Sequence, residues 1–244
     1  MTYTEELARR WTPDRIATTL KKCRDWPSDI SLSAVSSLLS KGRLVRFPPD
    51  ARISDQGDKQ ARWGIILSGL VRTSSQSLGG QAYHVDLIGP GSHFGLRACL
   101  DQKTKVHDTT AELQTDVLVV SAEVLRSLIK SDADLNALVI FALCGRLRYV
   151  THGLEQFSAW THRARVAARL CGLARSIGRP HEAGVEIATH LSQDTLAEMI
   201  GLSRQRTNKL LRDFERDGIL VLNYNRIIVR DLTRLRACAH SSKT

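Results

Sequence analysis

At 244 residues the chain is longer than a usual single domain, so two domains or one large one are expected, and either can bury a sizeable core. A formal net charge of +10 points to a polyanionic partner. Five widely spaced cysteines (Cys23, Cys99, Cys144, Cys171, Cys238) without a CxxC pair exclude a disulfide framework and a zinc ribbon, and the lack of a leader-like N-terminus or long apolar run predicts a soluble, cytoplasmic chain with no membrane partner. Pro13 to Leu39 reads as one or two short helices. From Leu44 to about Val120, short apolar or alternating runs are separated by turns at Gly57, Gly69, Gly79-Gly80 and Gly89-Pro-Gly91, the texture of an antiparallel β sandwich or barrel.

After Ala122 the period becomes helical. Ile140, Leu143, Leu147, Val150, Leu154 and Phe157 follow at spacings of 3, 4, 3, 4 and 3, a heptad seam. A helix docked on its own domain gives a similar pattern, but a period of 3.5 fits a two-stranded dimer seam better. A break at Trp160-Thr161 precedes a second helix, Arg163 to Ser176, stopped by Gly178-Arg-Pro180 and followed by a turn into a short strand, Val185 to Ala188. The expected division is 1–130, 131–158 and 159–244, with a hinge near 158–162.

The charge gathers at the C-terminal end: from Trp160 to Thr244 stand 15 Lys or Arg against 8 Asp or Glu. Within it, Ser192 can cap a helix running to Ile200, Gly201 suits a left-handed reversal, and Ser203 can cap a second helix to about Arg216. Two short helices joined by a glycine turn are a helix-turn-helix signature. Thr207, Leu210, Leu211 and Phe214 make the packing face of the second helix; Arg204, Gln205, Asn208, Lys209 and Arg212 lie opposite. Arg and Lys donate to guanine O6 and N7, and Gln or Asn pairs with adenine N6 and N7, so that face has major-groove chemistry. Arg206 and Arg212, at its margins, suit phosphates or solvent. The hairpin after Gly218 forms a wing that brings Arg226 toward a sugar-phosphate backbone.

A β-roll, a long helix and a winged helix-turn-helix, in that order, resemble the Crp/Fnr superfamily of bacterial transcription regulators. The resemblance rests on FPPDARISDQGD, GIILSGLVR, IGPGSHFGLRACL and LAEMIGLSRQRTNKLLRDFERDGIL, and spans about Leu44 to Arg236. It implies an α+β fold with a cyclic-nucleotide-binding-like roll, and a non-enzymatic homodimer that binds a pseudo-palindromic double-stranded DNA site through successive major grooves about 34 Å apart. Arg204, Gln205 and Lys209 match the family's base-reading positions, and Ser203 its phosphate-contacting serine. The family's common pattern has Glu at position 205; an amide favours adenine where a carboxylate accepts from cytosine N4. RNA polymerase is a further partner in family activators, through a loop that here spans Gly178 to Gly184.

The departures concern the effector. Gly95, Leu96, Arg97, Lys105 and Val106 occupy the candidate effector pocket, yet cyclic-AMP binders of the family carry an acid where Leu96 stands and Arg-Ser near Lys105-Val106. Cyclic AMP is therefore not expected. Neither is a 4Fe-4S cluster, because Cys23 stands alone in the N-terminal region. His84, His93, His107 and Cys99 leave haem, metal or redox sensing as the alternative within the same fold. A cupin-type metalloenzyme would need closely spaced histidines and an acid, and the roll has no HxH pair.

Overall fold

The computed structural model describes residues 3–23, 26–76, 82–187, 193–223 and 226–240, which divide into two units, Met1–Tyr149 and Val150–Thr244. The division falls inside a long helix, while that helix ends at Ala159, next to the expected hinge.

Among the described residues, α2 (Pro13–Lys21) and α3 (Leu32–Lys41) occupy the segment expected to hold one or two short helices, and α1 (Tyr3–Arg10), outside that segment, precedes them. The charged first segment is helical because Leu7 gives it a buried anchor beside Trp11. Thr12 accepts from Arg15 N at 3.4 Å and Pro13 opens α2, an ordinary cap followed by a residue with no amide proton to lose.

Two four-stranded antiparallel sheets form the roll. One has the order β1 (Arg43–Phe47), β8 (Thr115–Ser121), β3 (Arg62–Ser68), β6 (His93–Phe94); the other runs β2 (Arg52–Ser54), β7 (Asp108–Ala111), β4 (Val71–Gln76), β5 (Ala82–Ile88). Between Arg62 and Ser68 at its ends, β3 is apolar because both faces are covered. Trp63, Ile65 and Leu67 meet the helices, whereas Ile66 turns toward Val71 and Ile88 of the second sheet. Gly64 is the exception in this strand: a Cβ there would collide with the Phe94 ring on β6. Asp116, buried on β8, is held by Trp11 Nε1 at 2.9 Å and by Arg46 at 2.6 and 3.1 Å, which ties the N-terminal helices to the sheet.

The short α4 (Leu96–Asp101) links β6 to β7, and α5 (Ala122–Ser131) leads to α6 (Ala133–Ala159). The long helix carries two apolar stripes. Leu135, Leu138, Val139 and Ala142 are buried in the core of the first unit, whereas Ile140, Leu143, Leu147, Val150 and Leu154 are exposed. The side chain of Phe157, the last seam position, lies outside the described residues.

The second unit contains α7 (His162–Ile177), β9 (Gly178–His181), β10 (Gly184–Ile187), α8 (Gln193–Ile200), α9 (Arg204–Arg216), β11 (Leu220–Asn223), β12 (Arg226–Val229) and α10 (Leu232–His240). The expected turn and loop at 178–184 is instead a hairpin, with Pro180 opposite Val185. Proline fits there because β9 is the edge of the sheet ordered β11-β12-β10-β9 and owes no amide proton to a further strand. Ala188, the expected end of the short strand, and Ser192, the expected cap of α8, lie outside the described residues.

Candidate nucleic-acid interface

The turn between α8 and α9 follows from Gly201. At φ 70° it adopts the left-handed conformation that stops α8, with Gly201 N bonded to Glu198 O and Leu202 N to Ala197 O. Ser203 then restarts the chain, its Oγ accepting from Arg206 N at 3.3 Å. The same device closes α9: Gly218 has φ 71°, Gly218 N bonds to Glu215 O, and Ile219 N to Phe214 O.

One face of α9 is locked into the unit. Thr207, Leu211 and Phe214 are buried at helical spacing, together with Leu196, Ala197 and Ile200 of α8. Leu210, expected on this face, is only half-buried and sits at its edge. The guanidinium of Arg163 lies 4.2 Å from the Phe214 ring centroid and 2.5 Å from Asp217, so the first turn of α7 is bound to the end of α9.

The cations of α9 divide by partner. Arg204 lies 3.2 Å from Asp194, Arg212 lies 2.7 Å from Glu215, and Arg216 pairs with Asp213. Gln205, Arg206 and Lys209 are exposed, and among the described residues their side chains have no hydrogen bond or ion pair. Asn208 is half-buried between them. Asp213, Glu215 and Asp217, at the C-terminal end of α9, are thus engaged by Arg216, Arg212 and Arg163, and Glu215 also accepts from Leu222 N at 3.2 Å, joining α9 to the wing. Arg226 opens β12 and stands 3.4 Å from Glu186; the wing tip at 224–225 lies outside the described residues.

In the first unit, the candidate effector residues do not gather as expected. Gly95 is left-handed at φ 78° and leads into α4, where Leu96 is 3% exposed and belongs to the helical core. Arg97 points to solvent. Lys105 is 3.6 Å from Asp58, and its backbone bonds to Gly57 and Asp58, so it fastens the turn before β3; burial holds its ammonium below the usual lysine range against the opposing pull of Asp58. Val106 exposes its side chain and offers only its carbonyl, which accepts from Ser75 Oγ at 2.9 Å.

A different polar group emerges on β4, β5, the residue before β7 and α6. Ser75 gives its one proton to Val106 O and lies 2.8 Å from His107 Nδ1, which makes Nδ1 the protonated nitrogen and leaves Nε2 an acceptor. Burial, then Arg146 and Arg97, lowers the His107 pKa. The Tyr149 hydroxyl donates to Asp86 at 2.7 Å, and Arg146 stacks over the Tyr149 ring at 5.1 Å. Thr73 and Ser75, alternating inward along β4, were the available sequence signal; the tyrosine, 63 positions from Asp86, had none.

The remaining sensor candidates are accounted for individually. His93 presents its ring edge-on to Trp26 and Trp63, and neither of its buried ring nitrogens has a hydrogen-bond partner. Burial pushes the Cys99 thiol up to about 11 against the opposing charges of Lys105 and Arg126. A thiol held protonated is a poor nucleophile. The side chain of His84 lies outside the described residues, and among those described no group of three or more His, Cys, Asp or Glu is arranged to hold a metal. None of the described helices is long and apolar enough to cross a membrane.

Comparison with known proteins agrees with both units. The cyclic nucleotide-binding domain family matches residues 44–132, and the Crp-like helix-turn-helix domain family matches residues 164–238. A CRP-like cAMP-activated global transcriptional regulator of Mycobacterium tuberculosis is 26% identical over 203 residues, covering 83% of this chain and 91% of that one. The cyclic AMP receptor protein of Thermus thermophilus is 28% identical over 193 residues, 79% of this chain and 86% of that one. The structure of FixK2 from Bradyrhizobium japonicum superposes with a TM-score of 0.70 at 19% identity, covering 83% of this chain and 99% of that one. The chain belongs to the Crp/Fnr superfamily of transcription regulators, with a DNA-binding helix-turn-helix domain behind a cyclic-nucleotide-binding-type roll.

Proposed function

We propose that this chain is a homodimeric, sequence-specific regulator of transcription that lays α9 in the major groove of a pseudo-palindromic duplex. The observation that carries the reading is the exposed face of α9, where Gln205, Arg206 and Lys209 lack intramolecular partners among the described residues while Thr207, Leu211 and Phe214 anchor the opposite face. Arg204 and Lys209 donate to guanine, and Gln205 and Asn208 pair with adenine; Ser203, Arg206 and Arg226 hold phosphates. The exposed stripe of α6 supplies the dimer contact, since Leu147 and Leu154 remain 67% and 66% exposed although the helix already buries a separate stripe.

The relatives named for cyclic AMP do not carry that effector to this chain. Leu96 cannot accept a hydrogen bond from a ribose hydroxyl, and Val106 cannot donate one to a phosphate. An effector of this roll meets the Ser75–His107 and Tyr149–Asp86 pairs instead.

Selection from a randomised duplex library, followed by titration of the selected site, tests the reading. Arg204→Ala or Lys209→Ala is expected to cost about 1–3 kcal/mol per base contact, and Gln205→Glu to move the preferred base from adenine toward cytosine. Parent-like binding by both alanine variants overturns it.

A further inference from the structure

The second unit holds two of the five cysteines, Cys171 and Cys238, and they lie on helices that pack against each other, α7 and α10. Cys171 is buried on the face of α7 that also carries Ala167 and Ala174, and Cys238 is half-buried on α10 beside the buried Leu235 and Ala239. Burial pushes the Cys171 thiol up, the guanidiniums of Arg236 on α10 and Arg175 on α7 oppose it, and the Cys238 sulfur acts on it as well. Two residues of α10 thus reach the same sulfur, so the Cys171 side chain faces the stretch of α10 that contains Cys238. The other three cysteines, Cys23, Cys99 and Cys144, belong to the first unit.

We propose that Cys171 and Cys238 are a poised dithiol that a hydroperoxide closes to an intramolecular disulfide. Helices that meet through alanine and cysteine approach at the short end of the usual interaxial range, about 8 Å. With Cα atoms about 2.3 Å from each axis, facing Cα atoms then lie inside the upper limit of about 6.8 Å that a disulfide spans. Accessibility divides the roles. Cys238, partly open to solvent, meets the oxidant: its sulfur attacks one oxygen of hydrogen peroxide, the O–O bond breaks, and the departing hydroxide takes the thiol proton to become water, leaving a sulfenic acid. Cys171, shut away from solvent, attacks that sulfur; the S–O bond breaks, the second hydroxide takes the Cys171 proton, and the S–S bond forms. Two thiols lose two electrons in all, and one peroxide becomes two waters. Burial makes Cys171 a slow target for a dissolved oxidant, yet its attack on a sulfenic acid of the packed helix is intramolecular, with two guanidiniums favouring the thiolate. The closed loop takes in α8, α9 and the wing, so oxidation is written into the helix-turn-helix unit itself.

The test uses the full-length chain carrying Cys144→Ser, which removes the exposed thiol. The folded protein is treated with a few equivalents of hydrogen peroxide, blocked with N-ethylmaleimide in urea and digested with trypsin. Peptides 170–175 and 237–243, each holding one of the two cysteines, are expected as a single linked species, lighter than their sum by two hydrogens and separated by dithiothreitol. The linked protein is expected to melt several degrees above the reduced one, because the bond restrains the unfolded chain. Cys238→Ser, at a half-buried position, is expected to melt with the reduced parent, to gain nothing from peroxide and to return 170–175 as its maleimide adduct. Recovery of both peptides as maleimide adducts after peroxide overturns the proposal, as does a sulfinic acid in 237–243 with 170–175 still alkylated. A linked species that forms only with urea present during oxidation, or a linked protein that melts no higher than the reduced one, overturns it too, since the packed helices would then not hold the pair in place.

Discussion

The Tyr149 hydroxyl on α6 donates to the buried Asp86 carboxylate on β5 at 2.7 Å, and this bond joins a strand of the roll to the helix that carries the exposed apolar stripe. Tyr149→Phe removes the proton and leaves the ring in place beneath Arg146. The variant is expected to lose about 1–2 kcal/mol in denaturant unfolding, the cost of leaving a buried carboxylate one donor short. An unfolding curve that superposes on the parent's would show that the bond contributes nothing to holding α6 on the roll.

Exposure of the α6 stripe sets the second prediction. Leu147→Glu is expected to fold as the parent does, because its position is 67% exposed, and to elute as a monomer where the parent elutes as a dimer. Light scattering after gel filtration reads the mass directly. A parent that is monomeric at micromolar concentration removes the seam from the account.

Acid should destabilise the first unit through His93. Burial first, and then the charge of Arg146, lowers its pKa to about 4 from an ordinary 6.5. The unfolded chain therefore takes up this proton near pH 6.5 while the folded chain holds none until about pH 4. The stabilising contribution is complete above 6.5 and is lost as pH falls toward 4, by about 3 kcal/mol in all. His93→Leu is expected to flatten the stability profile between those two values relative to the parent, measured by urea unfolding at successive pH.

Arg204 and Asp194 form an exposed pair, 63% and 57% accessible, and such pairs add little to stability. Asp194→Asn should therefore leave the melting temperature nearly unchanged. It also removes a negative charge beside the cation proposed to read a base, so duplex affinity is expected to rise, by on the order of 0.5 kcal/mol at low salt. Weaker binding by this variant would mean that Asp194 orients Arg204 for its base.

Much of the architecture is legible in one dimension because local chemistry repeats at a fixed period. Gly201 and Ser203 mark the turn between α8 and α9, the glycine turns space the strands of the roll, and the heptad of Ile140 to Leu154 identifies a stripe. Legibility fails where a residue's role depends on a distant partner. Leu96 matches a ligand-binding position by alignment, yet it packs into the helical core, and Lys105 answers to Asp58. Pro180 reads as a stop signal and instead occupies an edge strand, because only the sheet order reveals that its missing amide proton is not needed.

By itself the sequence determined the class of fold, the helix that faces outward with cations and amides, and the separation of its apolar and polar faces. These follow from periodicity and capping, which act over a few residues. Only the tertiary structure decided which of those cations are neutralised by neighbours, Arg204 by Asp194 and Arg212 by Glu215, and which, Arg206 and Lys209, have no such partner among the described residues. Coulombic pairing depends on distance in space, and Arg206 and Trp160, 46 positions apart, become lining residues of one groove only when the helices pack.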